Sequence, residues 1–454
     1  MDIIRFKINK LYKLSNYEIE LKSNKLILIG ENGSSKTTII KILFYTLSTQ
    51  WSKLSKYDFN NIEININDDN IKITKEDIDS ILVIDERFLR RIPPRFRKEL
   101  MNLSNLSETD NIEKINYLSR KYNISIDYPI DDELDLDEDL ISKSESYKKL
   151  MNITSRIKNH LEGTHIMYLP TYRRIEQELK VVLGGRIDDS EYRSRRVYTQ
   201  NNNRNYTELV EFGMNDVIDS KDKTLNDLKD YFRNSLNQLT LGYLGDVVDE
   251  KYKLIDESYL NDIDDETITN IMRRVDENIL SSELKNKLRG SIDKIKKTGS
   301  KTVHDKVVCH YFSKLLKSHK ELEGKEVNMR NFVAVCTKYL KNKTIIYDNT
   351  NFTFSIISNI HQQSISFNQL SSGEKQIVSL FSHLYLDGDR KYFVLIDEPE
   401  LSLSVKWQKQ FLSDITKGEF CLGIVAVTHS PFIFDNELDS YAHAIEEFVK
   451  NKIR

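Results

Sequence analysis

The chain has 454 residues, a formal net charge of −3 and 30% charged residues, so it can bury a large core and is too long for one simple domain. The near-neutral balance argues against a protein that coats nucleic acid. Its three scattered cysteines form no C-x-x-C pair, and no apolar run approaches the roughly 20 residues of a membrane helix. We therefore expect a cytoplasmic protein without membrane contact.

The first motif in the chain is a glycine-rich loop. Residues 25–29 (Lys-Leu-Ile-Leu-Ile) predict a buried strand and residues 37–45 a helix packed on the sheet. Strand, loop and helix in this order are the setting of a phosphate-binding P-loop. Its N–H groups attract a phosphate, Lys36 reaches the β and γ oxygens, and Thr37 places a hydroxyl on Mg²⁺. The predicted ATP-binding residues are Gly30, Asn32, Gly33, Ser34, Ser35, Lys36, Thr37 and Thr38.

Ser35 departs from the P-loop pattern, which has a glycine just before the lysine. A side chain at this position is expected to strain a turn that favours glycine. We expect the departure to affect nucleotide affinity and to leave the site in place. It also keeps open a scaffold protein whose ATP is structural and hardly turned over.

Four stretches follow before the chain returns to the sheet. Residues 62–67 and 71–74 alternate apolar and polar side chains and predict an antiparallel pair of strands. Residues 81–87 (Ile-Leu-Val-Ile-Asp-Glu-Arg) imitate an acidic catalytic strand, but no phosphate loop precedes them at a matching distance, so we interpret them as a core strand. Residues 131–139 contain a D-x-D without a preceding apolar strand, which favours a mobile acidic loop over a nuclease site.

The chain then returns to the sheet and leaves it again. Residues 165–169 predict a strand, which would place residues 170–174 at a carboxyl edge, where ligands bind in open α/β sheets. Gln177 is a weak candidate for a loop glutamine that senses Mg²⁺. From residue 221 to residue 343 apolar side chains recur every three or four residues, which predicts a helical arm or a compact helical cap.

The predicted fold is an α/β core built from both chain ends, with a helical insertion. We place the boundaries as follows: residues 1–86 begin the core, 87–160 form a helical insertion with the acidic loop, 161–220 return to the core, 221–345 form the helical arm or cap, and 346–454 complete the core.

Two more motifs lie near the carboxyl end of the chain. Residues 393–396 (Phe-Val-Leu-Ile) predict a buried strand of the parallel type. Asp397 at its end can hold Mg²⁺ together with Thr37, and Glu398 beside it can accept a proton from an attacking water. A second apolar strand, residues 423–427, leads to His429.

Residues 370–376 (Leu-Ser-Ser-Gly-Glu-Lys-Gln) resemble the signature motif of ABC-type ATPases. With Lys36, the Asp397–Glu398 pair and His429, they identify the chain as a member of the ABC/SMC/RecF class of P-loop ATPases. The resemblance implies that the signature contacts the γ-phosphate of ATP held by a second subunit, and that His429 senses the same phosphate. The signature residues are Ser371, Ser372, Gly373 and Glu374.

Within that class, residues 397–408 and 428–436 resemble the OLD/RecF-like ATPases of bacterial genomes. Residues 168–176 and 211–217 are similar to the ATPase subunits of two-gene anti-phage systems. The PARIS ATPase family (AriA) is the most similar in our interpretation, and the Septu ATPase family (PtuA) is second.

These resemblances imply ATP and Mg²⁺ as cofactors and a homo-oligomer built from ATP-sandwich dimers. They also imply a partner nuclease, of the Toprim type in PARIS and the HNH type in Septu, and a phage protein as the trigger. No nuclease constellation stands out in this chain itself. The alternative is a RecF-like DNA-repair clamp that binds DNA directly. Two basic clusters could contact nucleic acid or an acidic partner, although a solvated face explains each of them as well: Arg87, Arg90, Arg91, Arg95 and Arg97, and Arg186, Arg193, Arg195 and Arg196.

Overall fold

A computed structural model describes residues 2–31, 33–79, 145–171, 205–209, 214–275, 277, 280–299, 302–388 and 390–452. The chain divides into two compact units, one comprising Met1–Glu211 with Arg390–Arg454 and the other Phe212–Asp389. The first unit is therefore built from both chain ends, as predicted, with the second inserted between them.

In chain order the described strands are β1 (Ile3–Leu11), β2 (Ser15–Glu20), β3 (Lys25–Ile29), β4 (Asn61–Ile66), β5 (Asp69–Thr74), β6 (Thr164–Leu169), β7 (Tyr206–Glu208), β8 (Lys343–Asp348), β9 (Thr353–Ser358), β10 (Ser364–Ile365), β11 (Lys391–Asp397), β12 (Cys421–Thr428), β13 (Ala442–Ala444) and β14 (Val449–Lys452). The described helices are α1 (Lys36–Leu47), α2 (Trp51–Leu54), α3 (Glu145–His160), α4 (Met214–Val248), α5 (Asp265–Arg274), α6 (Ser282–Thr298), α7 (Val303–Lys338), α8 (Ser372–Leu386) and α9 (Val405–Thr416).

A parallel sheet forms the centre of the first unit. Among the described strands its order is β13-β3-β12-β11-β6-β7, and every neighbouring pair is parallel. β11 and β12 are buried over nearly their whole lengths, which explains their continuous apolar runs. Helix α1 packs against β11, β12 and β6 through buried side chains such as Ile40 and Phe44.

A second, antiparallel sheet lies in the same unit, with the order β14-β2-β1-β4-β5. β4 and β5 pair with Asn61 opposite Thr74, which confirms the antiparallel pair predicted from alternation. Ile62, Ile64 and Ile66 are fully buried, because alternate side chains of a strand face the same side.

The second unit is mainly helical. Helices α4 and α7 have 35 and 36 residues. Helix α4 buries Leu225, Leu228, Phe232 and Leu236, which are spaced three or four residues apart, as the sequence pattern predicts for a helix. Strands β8, β9 and β10 form their own antiparallel sheet, so the segment 346–454 is divided between the two units. No helix within the described ranges combines the length and the apolar character that crossing a membrane requires.

Candidate active site

The register of the parallel sheet brings the sequence motifs of the first unit to one edge. Ile29 lies opposite Thr428 and Asp397 opposite Val427, while Ile396 lies opposite Leu169. The carboxyl ends of these strands therefore deliver the described part of the phosphate loop (residues 30, 31 and 33–38, which include the first residues of α1), Glu398, His429 and Thr171 to the same rim, where open α/β sheets bind ligands.

Three positions of the phosphate loop favour glycine, either because another side chain lies close or because the backbone is left-handed. A Cβ on Gly30 would lie 2.9 Å from a methyl carbon of Ile445, so the position accepts only glycine without a shift. Gly33 has a φ of 83°, in the left-handed region that glycine reaches without strain. Ser35 also lies there, with a φ of 66° and a ψ of 12°, which confirms that a serine occupies a turn that favours glycine.

Lys36 is buried, and its ammonium group is held by the loop itself. Nζ donates to the carbonyl oxygens of Gly30 and Glu31 at 2.8 and 2.7 Å and to Oγ of Ser34 at 3.1 Å. Burial lowers the pKa of Lys36, although the surrounding carboxylates, Glu398 foremost, oppose this effect. The cation therefore lies at the centre of the loop and near the acidic strand β11.

Asp397 connects the phosphate loop to the sheet. Its side chain is fully buried, and Oδ1 accepts a hydrogen bond of 3.0 Å from Oγ1 of Thr37. Its other oxygen, Oδ2, accepts a short hydrogen bond from the Thr171 hydroxyl. Two hydroxyl groups and one carboxylate from three different elements thus meet at one point, a set of hard oxygen donors of the kind that Mg²⁺ prefers.

Glu398 follows Asp397 on a strained backbone, with a φ of 51°. Its N–H donates to the carbonyl of Val427 at 2.8 Å, which fixes the residue against the next strand. Burial raises the pKa of the Glu398 carboxyl, and the charges of Asp397 and Glu400 raise it further. A carboxylate with a raised pKa accepts a proton more readily, which suits a general base.

His429 directly follows β12, a neighbour of β11 in the sheet, and is exposed. Its backbone N–H donates to Oε1 of Glu400 at 2.7 Å, and the hydroxyl of the preceding Thr428 donates to Oε2 of the same carboxylate at 2.8 Å. The Glu400 carboxylate therefore fixes the backbone that carries the His429 imidazole.

The signature motif begins helix α8 in the second unit. Ser371 caps the helix in a reciprocal capping box with Glu374, in which the Ser371 N–H donates to Glu374 at 2.8 Å. Ser371 and Ser372 are exposed, whereas Glu374 is buried and both of its oxygens accept from Lys343 Nζ at 2.8 Å. Glu374 thus orders the helix start, and the exposed part of the motif is the pair of serines.

A family model described as "AAA domain, putative AbiEii toxin, Type IV TA system" matches residues 26–435, a span that contains all four motifs. The chain belongs to this AAA_21 family of P-loop ATPases. The assignment confirms the predicted α/β P-loop ATPase fold. Membership of a P-loop ATPase family implies that the nucleotide is ATP. The family description also links the chain to toxin–antitoxin systems.

Solved structures give a more distant comparison. The Smc head domain of Pyrococcus furiosus, with an extended coiled coil and bound to the C-terminal domain of ScpA, is 12% identical with a TM-score of 0.34, over 95% of this chain and 90% of that chain. The Smc head domain of Pyrococcus yayanosii, with a coiled coil and joint, is 14% identical with a TM-score of 0.29, over 95% and 93%. No curated protein matches the sequence.

The residues of this AAA_21 ATPase fit the cofactors that the family implies. The phosphate loop offers N–H groups at the start of α1 and the buried Lys36, which suits a triphosphate. Thr37 and Asp397 would hold Mg²⁺, because hydroxyl and carboxylate oxygens are the kind of ligand that this cation prefers.

Several predicted features of the AAA_21 ATPase lie outside the described residues. They are Asn32, Gln177, the acidic run 131–139, the imitation strand 81–87 and both arginine clusters. Of the predicted insertion 87–160, the structure describes helix α3.

Two contributors to this edge were missed as site residues in the sequence. Thr171 lies in the stretch that we predicted for a carboxyl edge, but its partner Asp397 is 226 residues away. Glu400 lies within the acidic motif, yet its role depends on Thr428 and His429, 28 and 29 residues further on. The signal that could have found Glu400 is a third acidic residue close to the Asp397–Glu398 pair.

Proposed function

We propose that this AAA_21 ATPase is the ATP-hydrolysing sensor and scaffold of an anti-phage defence system, which holds a partner nuclease and activates or releases it when a phage protein is detected. The contact that carries the proposal is the 3.0 Å hydrogen bond between Thr37 and Asp397. It joins the phosphate loop to the acidic strand, the arrangement that nucleotide hydrolysis requires. The family's link to toxin–antitoxin systems supports the biological role.

In the proposed reaction, the phosphate loop and Lys36 bind the β- and γ-phosphates of ATP. Lys36 exchanges its three loop acceptors for phosphate oxygens, which are stronger, charged partners. When bound, Mg²⁺ neutralises charge on the phosphates, with Thr37 and Asp397 as its protein ligands. Glu398 takes a proton from the attacking water, and His429 senses the γ-phosphate.

The proposed site is completed by a second copy of the chain. The chain carries one set of motifs, and the exposed Ser372 and buried Gly373 begin helix α8, where free N–H groups attract anions. We propose that they contact the ATP held by the partner's phosphate loop.

Mixing two inactive variants tests this composite site. Lys36→Ala removes the phosphate loop's cation, and Ser372→Arg blocks the signature. Each variant alone is expected to be inactive, while mixed dimers contain one complete site, so an equal mixture should recover about a quarter of the wild-type rate if the two sites act independently. Recovery of no activity, with dimers present by light scattering, would contradict the composite site.

The defence role is tested by what the protein holds in cells. Glu398→Gln protein would be purified from cells that carry its neighbouring genes, and its companions identified by mass spectrometry. We expect a nuclease, of the Toprim type if the resemblance to the PARIS family (AriA) holds. Co-purified DNA, together with hydrolysis stimulated by DNA, would instead favour the repair clamp.

A further inference from the structure

Glu400 links the end of the acidic strand β11 to the end of β12, the strand that leads to His429. Its carboxylate accepts two hydrogen bonds, from Oγ1 of Thr428 at 2.8 Å and from the backbone N–H of His429 at 2.7 Å. Both donors belong to consecutive residues at the carboxyl end of β12. One side chain therefore fixes both the last residue of that strand and the backbone that carries the exposed imidazole.

A second contact holds the next residue in the same way. The hydroxyl of Ser430 donates to Oε1 of Gln408 at 2.6 Å. The amide of Gln408 donates to the carbonyl of Leu403 at 2.9 Å, which fixes the orientation of the glutamine. Three consecutive residues, Thr428 to Ser430, are thus each tied to the segment that follows the acidic strand.

From these contacts we propose that Glu400 is a positioning residue for ATP hydrolysis, which sets the backbone of His429 relative to Glu398. The inference rests on the proposed function and deepens it. Glu398 is itself tied to β12 through its hydrogen bond to Val427. Hydrogen bonds between the end of β11 and the end of β12 therefore hold both the proposed base and the proposed phosphate sensor. Glu400 accepts the hydrogen bond that holds the sensor, His429.

The hydrogen bonds also explain how the charge of Glu400 is accommodated. Placing a third carboxylate near Asp397 and Glu398 is unfavourable unless its oxygens are satisfied, and the donors of Thr428 and His429 satisfy one oxygen each. The two hydrogen bonds therefore hold the carboxylate against the end of β12.

Kinetics separates a positioning residue from a purely structural one. A purely structural residue would change the free energy of unfolding and leave the chemistry of folded molecules unchanged. A positioning residue changes kcat while KM for ATP remains, because the side-chain hydrogen bonds of Glu400 go to Thr428 and His429 at the end of β12.

The test compares Glu400→Gln, Glu400→Ala and the control Glu419→Gln, which makes the same chemical change at an exposed position. We expect kcat to fall about 10-fold in Glu400→Gln, whose single carbonyl oxygen keeps one acceptor, and about 100-fold in Glu400→Ala. KM should stay within about two-fold of wild type in all three variants. In the control, kcat should stay at the wild-type value.

Hydrogen exchange supplies a readout that does not need turnover. The amide of His429 should exchange faster in both Glu400 variants than in wild type, as measured by mass spectrometry of peptides in which His429 lies well away from the amino-terminal end. Unchanged exchange, or an unchanged kcat in Glu400→Gln at wild-type thermal stability, would overturn the positioning role. A wild-type protein that binds ATP without hydrolysing it would refute the proposed function instead. The exchange result would still decide whether Glu400 holds the backbone of His429.

Discussion

Glu398 and Glu374 are two of the motif glutamates, one directly after strand β11 in the first unit and one in the first turn of helix α8 in the second. Burial raises the pKa of Glu398, and neighbouring carboxylates add to the rise. Burial acts in the same direction on Glu374, but hydrogen bonds from Lys343 and Ser371 outweigh it, so its pKa is lowered. Burial alone therefore does not decide the direction of the pKa shift of a motif carboxylate. The charged and hydrogen-bonding groups beside it decide that direction.

The backbones of the two regions differ in the same sense. Glu398 and Ser35, on the nucleotide side, have φ values of 51° and 66°, a conformation that costs a residue with a side chain roughly 1–2 kcal/mol. Ser371, at the start of α8, has an extended backbone and a complete capping box. Two residues where we place the chemistry thus carry backbone strain, and the signature helix begins without it.

The largest expected effect comes from removing the proposed base. Glu398→Gln keeps the shape and the main-chain hydrogen bond to Val427 but cannot accept the proton. We expect the single-turnover rate to fall about 10²- to 10⁴-fold, with ATP affinity nearly unchanged. Glu374→Gln is the matched control, because the same change at the other glutamate should affect the free energy of unfolding more than the chemical step. Hydrolysis by Glu398→Gln at the wild-type rate would show that the base lies elsewhere.

Removing the loop cation is expected to have the next largest effect. Lys36→Ala deletes a buried cation and leaves the carbonyls of Gly30 and Glu31 without their donor. ATP affinity should fall about 100-fold, or roughly 2.7 kcal/mol, measured by equilibrium binding of a fluorescent ATP analogue. Lys56→Ala, at an exposed position of the same unit, should bind like wild type. Equal affinities in the two variants would remove Lys36 from the proposed site.

On the side of the signature helix, the expected effect is on stability. Lys343→Met leaves Glu374 buried without its cation, and we expect a loss of about 3 kcal/mol in the unfolding free energy. The matched control is Lys341→Met, because its side chain is exposed and only its backbone N–H contacts Glu374, at 3.3 Å. Chemical denaturation of both variants is the measurement.

The pH dependence of the same variant has a definite sign. The pKa of Glu374 is lower in the folded state, so its contribution to stability is present above the unfolded value and is lost as the pH falls through the folded one. Lys343→Met should therefore flatten the acid side of the stability–pH curve. A curve as steep as that of wild type would mean that Lys343 is not what stabilises the carboxylate.

The sequence predicted the elements whose signals are local. The apolar run before Gly30, the loop and the helix after it follow one another within the chain, as do the strand and acidic pair at Asp397. The contacts of Glu400 and Thr171 depend on which strands lie side by side, which periodicity does not report. The inward orientation of Glu374 likewise depends on Lys343, 31 residues away.

The smallest expected effect concerns Ser35. In Ser35→Gly, the left-handed turn loses its strain while the unfolded chain gains freedom, so we expect a net gain of up to about 1 kcal/mol in the unfolding free energy. ATP affinity should rise by a factor of about two to five if the strain also opposes the bound loop. Ser52→Gly, in helix α2 with an ordinary backbone, should instead lose roughly 0.5 kcal/mol. A loss of stability in Ser35→Gly would indicate that the serine side chain contributes more to the loop than its backbone conformation costs.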